Sequence, residues 1–187
     1  KTKKPIIVST GVAKFSELKK IVNYLKRKKA FFVLLQCTSN YPVKLENVGL
    51  NVMHEYKDKF KCPVGLSDHF PGLDISIISL AIGANIIERH FTLNKNMEGP
   101  DHILSSETEE MRKLVELSNN INLILGDGQK RIQPSEFATI NTQRKCIYAL
   151  KTIKKGKKIK LSDLTIKGPS GGILPKYIDL IVGKKVN

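Results

Sequence analysis

Two histidines stand at matched places in this chain, in Val64-Gly65-Leu66-Ser67-Asp68-His69 and in Ile86-Ile87-Glu88-Arg89-His90-Phe91. Each closes a short apolar run, so each reads as a side chain delivered by the tip of a buried strand. Neutral imidazole is a ligand for divalent metals and a general acid or base near neutral pH. Two such rings brought to one rim could share a metal or an anion. The plain alternative is that each histidine only caps its strand end. Side chains alternate along a strand, so Ser67 and His69 are expected on one face, and Glu88 and His90 likewise, with Arg89 opposed.

The elements that position these residues follow from the pattern on either side. Ile75-Ser76-Ile77-Ile78-Ser79-Leu80-Ala81 lies between the two histidine segments and is long enough for a short helix. Strand, helix, strand is the unit of a parallel sheet, and in an α/β barrel the chemistry sits at the C-terminal strand ends. Upstream, Pro5-Ile6-Ile7-Val8 reads as a buried strand running into Ser9-Thr10-Gly11. Ser16 is a candidate N-cap for the helix carrying Leu18, Ile21, Val22 and Leu25. The Ser-Thr-Gly turn could seat a phosphate, although an ordinary βα turn looks the same. Phe31 to Leu35 is a second strand, and it runs into Gln36-Cys37-Thr38-Ser39-Asn40-Tyr41-Pro42. Tyr41, held extended by Pro42, could project into a rim pocket or pack under its loop.

Further strands are expected at Cys62–Leu66 and Ala84–Glu88. A Gly99-Pro100-Asp101 turn presents Asp101. Ser106-Glu107-Thr108-Glu109 has a capping-box pattern for a helix carrying Met111, Leu114, Val115, Ile121 and Leu125 and ending at Gly126. Continuous apolar strands alternating with helices give a parallel sheet covered by helices. Only four such units are present, which suits the second half of an eight-unit barrel. The texture then changes. Residues 127–144 are polar, with Pro134, and read as a linker. Beyond them a short strand is expected at Ile147–Leu150, a strand pair around Lys155-Gly156, and a helical turn at Leu161–Leu164.

Composition narrows the function classes. The net charge is +15, but the lysines are scattered and not interleaved with aromatics, so no base-stacking surface is present and nucleic acid is not the expected partner. No run of about 18 apolar residues offers a membrane span. Cys37, Cys62 and Cys146 are odd in number and lack metal-ligand spacing, which fits a reducing, cytoplasmic setting.

Taken together, Lys4-Pro5-Ile6-Ile7-Val8-Ser9-Thr10-Gly11, Gln36-Cys37-Thr38-Ser39 with Tyr41-Pro42, Gly65-Leu66-Ser67-Asp68-His69, Glu88-Arg89-His90-Phe91-Thr92 and Gly99-Pro100-Asp101-His102 resemble the N-acetylneuraminate (sialic acid) synthase family. Ile153-Lys154-Lys155-Gly156 and Val182-Gly183-Lys184-Lys185 are similar to its antifreeze-like (SAF) domain. The resemblance implies an α/β chain. Its parts would be the C-terminal half of a (β/α)₈ TIM barrel over 1–126, a linker over 127–144, and a small β-rich, truncated SAF domain over 145–187.

The resemblance also implies condensation of phosphoenolpyruvate with N-acetylmannosamine or its 6-phosphate, releasing phosphate. A related enzyme making legionaminic or pseudaminic acid, or a non-catalytic half-barrel that only binds, is the alternative. The implied cofactor is a divalent metal, Mn²⁺ first and Mg²⁺ or Co²⁺ next, on His69 and His90. Ser9, Ser39 and Ser67 fall where the family contacts phosphoenolpyruvate, and Tyr41 and Asp101 where it holds the sugar. Glu88 is a candidate partner for a histidine, or a buried partner for Arg89. The implied assembly is a domain-swapped homodimer of the full-length protein. Two departures from the family pattern stand out. The chain begins at what would be the fifth barrel strand, without the family's water-handling glutamate and phosphate-binding lysine. Gly168 stands where many members carry an arginine.

Overall fold

In the computed structural model, which describes residues 3–187, the chain divides into two compact units, one running to Asp127 and the other from Gly128 to Asn187.

The first unit is a four-stranded parallel sheet in the order β1 (Ile6–Ser9), β2 (Phe32–Cys37), β3 (Val64–Asp68), β4 (Ile86–Arg89). The crossovers are α1 (Phe15–Arg27), α2 (Val52–Phe60) and α3 (Asp74–Ala81), and α4 (Thr108–Leu125) follows β4. This is the expected half-barrel. Every residue of β2 and β3 is buried, because each has a strand on both sides. The expectation that the first strand is buried fails: Ile6 and Ile7 are 39% and 52% exposed. β1 lies at the sheet edge and pairs only with β2. The core between sheet and helices is built from Leu18, Val22 and Leu25 of α1, Met53, Tyr56 and Phe60 of α2, and Leu34, Val64 and Leu66 of the strands. A smaller cluster of Leu73, Leu80 and Leu114 joins α3 to α4.

Two helix starts differ from expectation. α1 begins at Phe15, so Ser16 lies inside it; the Lys14 N–H is instead satisfied by the Glu17 carboxylate at 2.8 Å. α4 begins one residue later than the capping pattern implied, with the Glu107 N–H donating to Glu110 Oε2 at 2.9 Å. Ser106 is unavailable as a cap because it is fully buried in a continuation of the sheet. Its N–H donates to His90 O at 2.8 Å and its carbonyl accepts the Thr92 N–H at 3.0 Å. α4 ends at Gly126, whose φ of +65° reverses the chain.

In the second unit β5 (Cys146–Ala149) pairs antiparallel with β6 (Leu164–Lys167). Helices α5 (Phe137–Gln143) and α6 (Ile178–Ile181) complete it. The polar stretch expected as a linker therefore holds a helix, preceded by a turn in which the Gln133 N–H donates to Glu136 Oε2 at 2.7 Å. No strand pair forms around Lys155-Gly156. The backbone groups there pair with the end of the chain instead: the Gly156 N–H donates to Val186 O, the Val186 N–H to Lys157 O, and the Ile159 N–H to Lys184 O. Cys37, Cys62 and Cys146 are all free thiols. No helix among the described residues is long and apolar enough to cross a membrane.

Candidate active site

Register builds the site. β3 and β4 pair so that Ser67 lies opposite Glu88 and Asp68 opposite Arg89. Alternation then sends the two pairs to opposite faces of the sheet. On one face the Ser67 hydroxyl donates to Glu88 Oε1 at 2.7 Å. One step beyond, the rings of His69 and His90 lie edge to face with centroids 5.3 Å apart. Ser67, His69, Glu88, Arg89 and His90 line a cleft of about 210 Å³ at these strand tips.

One imidazole is fixed by a backbone carbonyl, and the other has a carboxylate nearby. His69 is buried, and its Nδ1 lies 3.0 Å from Thr38 O. A carbonyl only accepts, so Nδ1 carries a proton and Nε2 is the nitrogen left to face the cleft. His90 is more open, and its Nδ1 lies 3.6 Å from Asp101 Oδ2, with side-chain exposures of 31% and 51%. Tyr41 covers both rings, with centroids 4.1 Å from His69 and 5.6 Å from His90. The Val43 N–H donates to His69 O at 3.2 Å, so the same loop is tied to the histidine it covers.

Ser39 and the turn after β1 meet at Gly11. A Cβ there would stand 2.1 Å from Ser39 Oγ, so any side chain at this position would push the Ser39 hydroxyl out of its present place. Ser9 is exposed at the end of β1. Thr10, by contrast, is buried, and its hydroxyl is used for structure: Oγ1 donates to Leu35 O at 2.8 Å and accepts from the Tyr56 hydroxyl at 3.1 Å. Only Ser9 and the backbone of the turn remain for a ligand there. The structure thus gathers His69, His90, Tyr41, Asp101, Ser67 and Glu88 in one place, with Ser39 beside the β1 turn.

Glu88 takes neither of its expected partners. It pairs with Ser67, and Arg89 pairs with Asp68 on the opposite face. Sequence reasoning gave Asp68 no role. A charged residue in a buried strand, one place before each histidine, was the available signal. Because Asp68 offsets Arg89, the ionisable groups gathered around the cleft without a buried counter-charge are Glu88 and the two imidazoles, with Asp101 beside His90. That donor set suits a cation better than a free anion. Among the described residues no three His, Cys, Asp or Glu side chains form a metal cage, so the protein's own nitrogen donors here are the imidazole pair.

Comparisons with known proteins place the chain in a family. A family model described as the NeuB family matches residues 1–130, and one described as the SAF domain matches residues 144–187. The N,N'-diacetyllegionaminic acid synthase of Campylobacter jejuni is 42% identical over 187 residues, covering 98% of this chain and 56% of that protein. The human N-acetylneuraminate-9-phosphate synthase is 36% identical over 185 residues, covering 98% and 52%. The crystal structure of N-acetylneuraminic acid (sialic acid) synthetase from Leptospira borgpetersenii serovar Hardjo-bovis, in complex with citrate, superposes with a TM-score of 0.64 at 39% identity, covering 72% of this chain and 47% of that one. The chain spans about half the length of the curated relatives it matches.

Proposed function

Because the chain belongs to the NeuB family, we propose that its half-barrel carries the cation and substrate seats of a nonulosonic acid synthase. Such an enzyme condenses phosphoenolpyruvate with an N-acetylated hexosamine, N-acetylmannosamine or its 6-phosphate, and releases phosphate. The observation that carries the proposal is the imidazole pair, 5.3 Å apart at the tips of adjacent parallel strands, with each Nδ1 turned towards an oxygen. A neutral ring that keeps its proton on Nδ1 offers Nε2 as a donor, which suits Mn²⁺ and leaves other coordination positions to water or substrate oxygens.

The residues divide the task. His69 and His90 would hold the divalent ion, which when bound polarises the sugar aldehyde. Tyr41, packed on both rings, limits their rotation and walls the cleft. Asp101 would accept hydrogen bonds from sugar hydroxyls at the rim. Ser9 and Ser39 would contact the enol phosphate, whose negative charge the carboxylates of Glu88 and Asp101 oppose unless a cation offsets them. In the reaction the enol carbon bonds to the aldehyde carbon, water adds at the neighbouring cationic carbon, and phosphate leaves from that carbon. Glu88, which accepts a hydrogen bond from Ser67, would act as a proton acceptor in the cleft. The working assembly would be a domain-swapped homodimer.

A second acceptor is favoured by one finding. The 42% identical relative is named for a product with two acetyl groups, so a diacetamido hexose belongs beside N-acetylmannosamine in any substrate panel. The test has two arms. Phosphate release from phosphoenolpyruvate is followed with Mn²⁺ and each acceptor, and the expected result is turnover with one of them. Mn²⁺ is also titrated into the wild type, His69→Ala and His90→Ala. Equal affinity in all three would refute the proposed cation seat, whatever the turnover.

A further inference from the structure

We infer that Asp68 and Arg89 are positioning residues that set the facing geometry of His69 and His90 from the opposite side of the sheet. The inference rests on the proposed cation seat, but it can be judged without it.

Both side chains are about 1% exposed, and Arg89 Nη1 donates to Asp68 Oδ2. The guanidinium is otherwise engaged by three further acceptors from separate parts of the chain. Nε donates to Ser106 Oγ at 2.8 Å, Nη1 to Ser76 Oγ at 3.1 Å, and Nη2 to Phe70 O at 3.0 Å. Asp68 is as fully used: it also accepts from Ser76 Oγ at 2.5 Å and from the Phe70 N–H at 2.9 Å. One planar group therefore ties β4 to β3, to the loop after β3, to α3 and to the segment before α4.

Stability alone does not explain such a pair. Removing two charges from water costs about what their attraction returns, and an apolar pair of similar volume is often as stable or more so. What a fully bonded guanidinium supplies is geometry, because its donors have fixed directions. Here geometry has a consequence one residue away. Asp68 opposite Arg89 is the register in which His69 follows on one strand and His90 on the next. Ser106, which accepts from Arg89 Nε, also binds the backbone around His90: its N–H donates to His90 O and its carbonyl accepts from Thr92. The network thus holds the chain on both sides of the second imidazole.

The decisive variant is the double replacement Asp68→Leu with Arg89→Met in the full chain, alongside Arg89→Lys, which keeps the charge and loses the fork. Mn²⁺ affinity is read by the electron paramagnetic resonance of free Mn²⁺. The imidazole ¹⁵N shifts report tautomer without any metal. In the double variant we expect a melting temperature at or near that of the wild type, Mn²⁺ binding about 10–100-fold weaker, and loss of the single Nδ1–H form of His69. A purely structural pair predicts the reverse: once stability is kept, affinity and shifts stay at wild-type values, and that result overturns the inference. Should the double variant not fold, Ser106→Ala takes its place. It removes one acceptor and spares the ion pair, and unchanged Mn²⁺ affinity together with unchanged His90 shifts would be equally fatal. Should wild type and His69→Ala bind Mn²⁺ alike, the cation seat is what fails. The ¹⁵N shifts of the double variant then decide on the positioning pair: unchanged shifts reject it, and a mixed tautomer population supports it.

Discussion

Gly65→Ala makes the sharpest demand on the way strand pairing supports the site. Gly65 sits in β3 opposite Ile86 of β4, two residues before Ser67 and four before His69. A Cβ at Gly65 would lie 2.2 Å from Ile86 O and 2.6 Å from Leu35 Cδ2, where 3.0 Å is the closest real approach. The leucine methyl can turn away, but the carbonyl belongs to the neighbouring strand. To accept the methyl group, β4 must retreat by roughly 0.8 Å, enough to stretch the adjacent ladder hydrogen bonds past useful length. Overpacking of this kind costs roughly 1–3 kcal/mol, and each weakened bond adds about 1 kcal/mol. The expected loss is therefore roughly 2–4 kcal/mol, or a fall of roughly 5–15 °C in melting temperature for a chain of this size. The displacement falls on the Ser67–Glu88 and His69–His90 pairs, so Mn²⁺ affinity should drop as well. Gly126→Ala is the control. Its φ of +65° makes alanine costly by roughly 1–2 kcal/mol, yet no atom lies near the new methyl and the site is not involved. Differential scanning calorimetry and Mn²⁺ titration on both variants separate the effects. If Gly65→Ala melts no lower than Gly126→Ala and binds Mn²⁺ like the wild type, the close strand contact is not what holds the site together.

Tyr56→Phe should cost about 1 kcal/mol in denaturant unfolding, because it removes the buried hydroxyl that donates to Thr10 Oγ1 at 3.1 Å. Thr10 keeps its bond to Leu35 O, so Mn²⁺ affinity should not change; a large fall in affinity would show that the turn after β1 depends on this phenol. Glu110 is held below its ordinary pKa of 4.5 chiefly by the hydrogen bond from Lys95, whose Nζ lies 2.6 Å away. A depressed carboxyl stabilises the fold above its ordinary pKa, and that contribution is lost as pH falls through the lowered folded value. Glu110→Gln should therefore melt below wild type at pH 7, and the gap should close as pH falls below 4.5 and through the lowered folded value; parallel pH profiles would contradict this.

The sequence revealed the elements whose signal is local. Apolar runs at Phe32–Leu35 and Val64–Leu66, separated by helical spacing, are enough to announce strand, helix and strand. Period-two alternation is enough to place Ser67 with His69, and Glu88 with His90. What stayed hidden depends on partners distant in the chain. The burial of a strand is a property of its neighbours, so Ile6 and Ile7 looked like core and are half-exposed at an edge. Ser106 has the residue type of a helix cap, but Arg89 and the backbone around His90 claim it first. The lysine-rich turn at Gly156 looked like a hairpin until the last residues of the chain took its hydrogen bonds. Asp68 was in plain view beside His69, yet its purpose depends on which residue of β4 lies opposite.

That dependence on register ties fold to site more tightly than any single contact. From the end of β3 into the residue beyond it, Ser67, Asp68 and His69 alternate cleft, core, cleft; at the end of β4, Glu88, Arg89 and His90 do the same. A slip of one residue in either strand would turn the ion pair into the cleft and press an imidazole into the apolar layer under α3. The slipped state would leave a buried guanidinium without its carboxylate, a loss of several kcal/mol. Charge on one face thus excludes the arrangement in which the opposite face could not work. Gly65 adds a steric condition at the other end of the same strand, since only a residue without a side chain lets β4 approach there. The two constraints act on different atoms, more than 7 Å apart by strand rise for residues three positions distant. Their effects on stability should therefore be nearly additive, while their effects on Mn²⁺ affinity should not, because both act through the same pair of rings. A double-mutant cycle between Gly65→Ala and Arg89→Lys reads both quantities. Additive losses in cation affinity would mean that register is not the route by which either residue reaches the site.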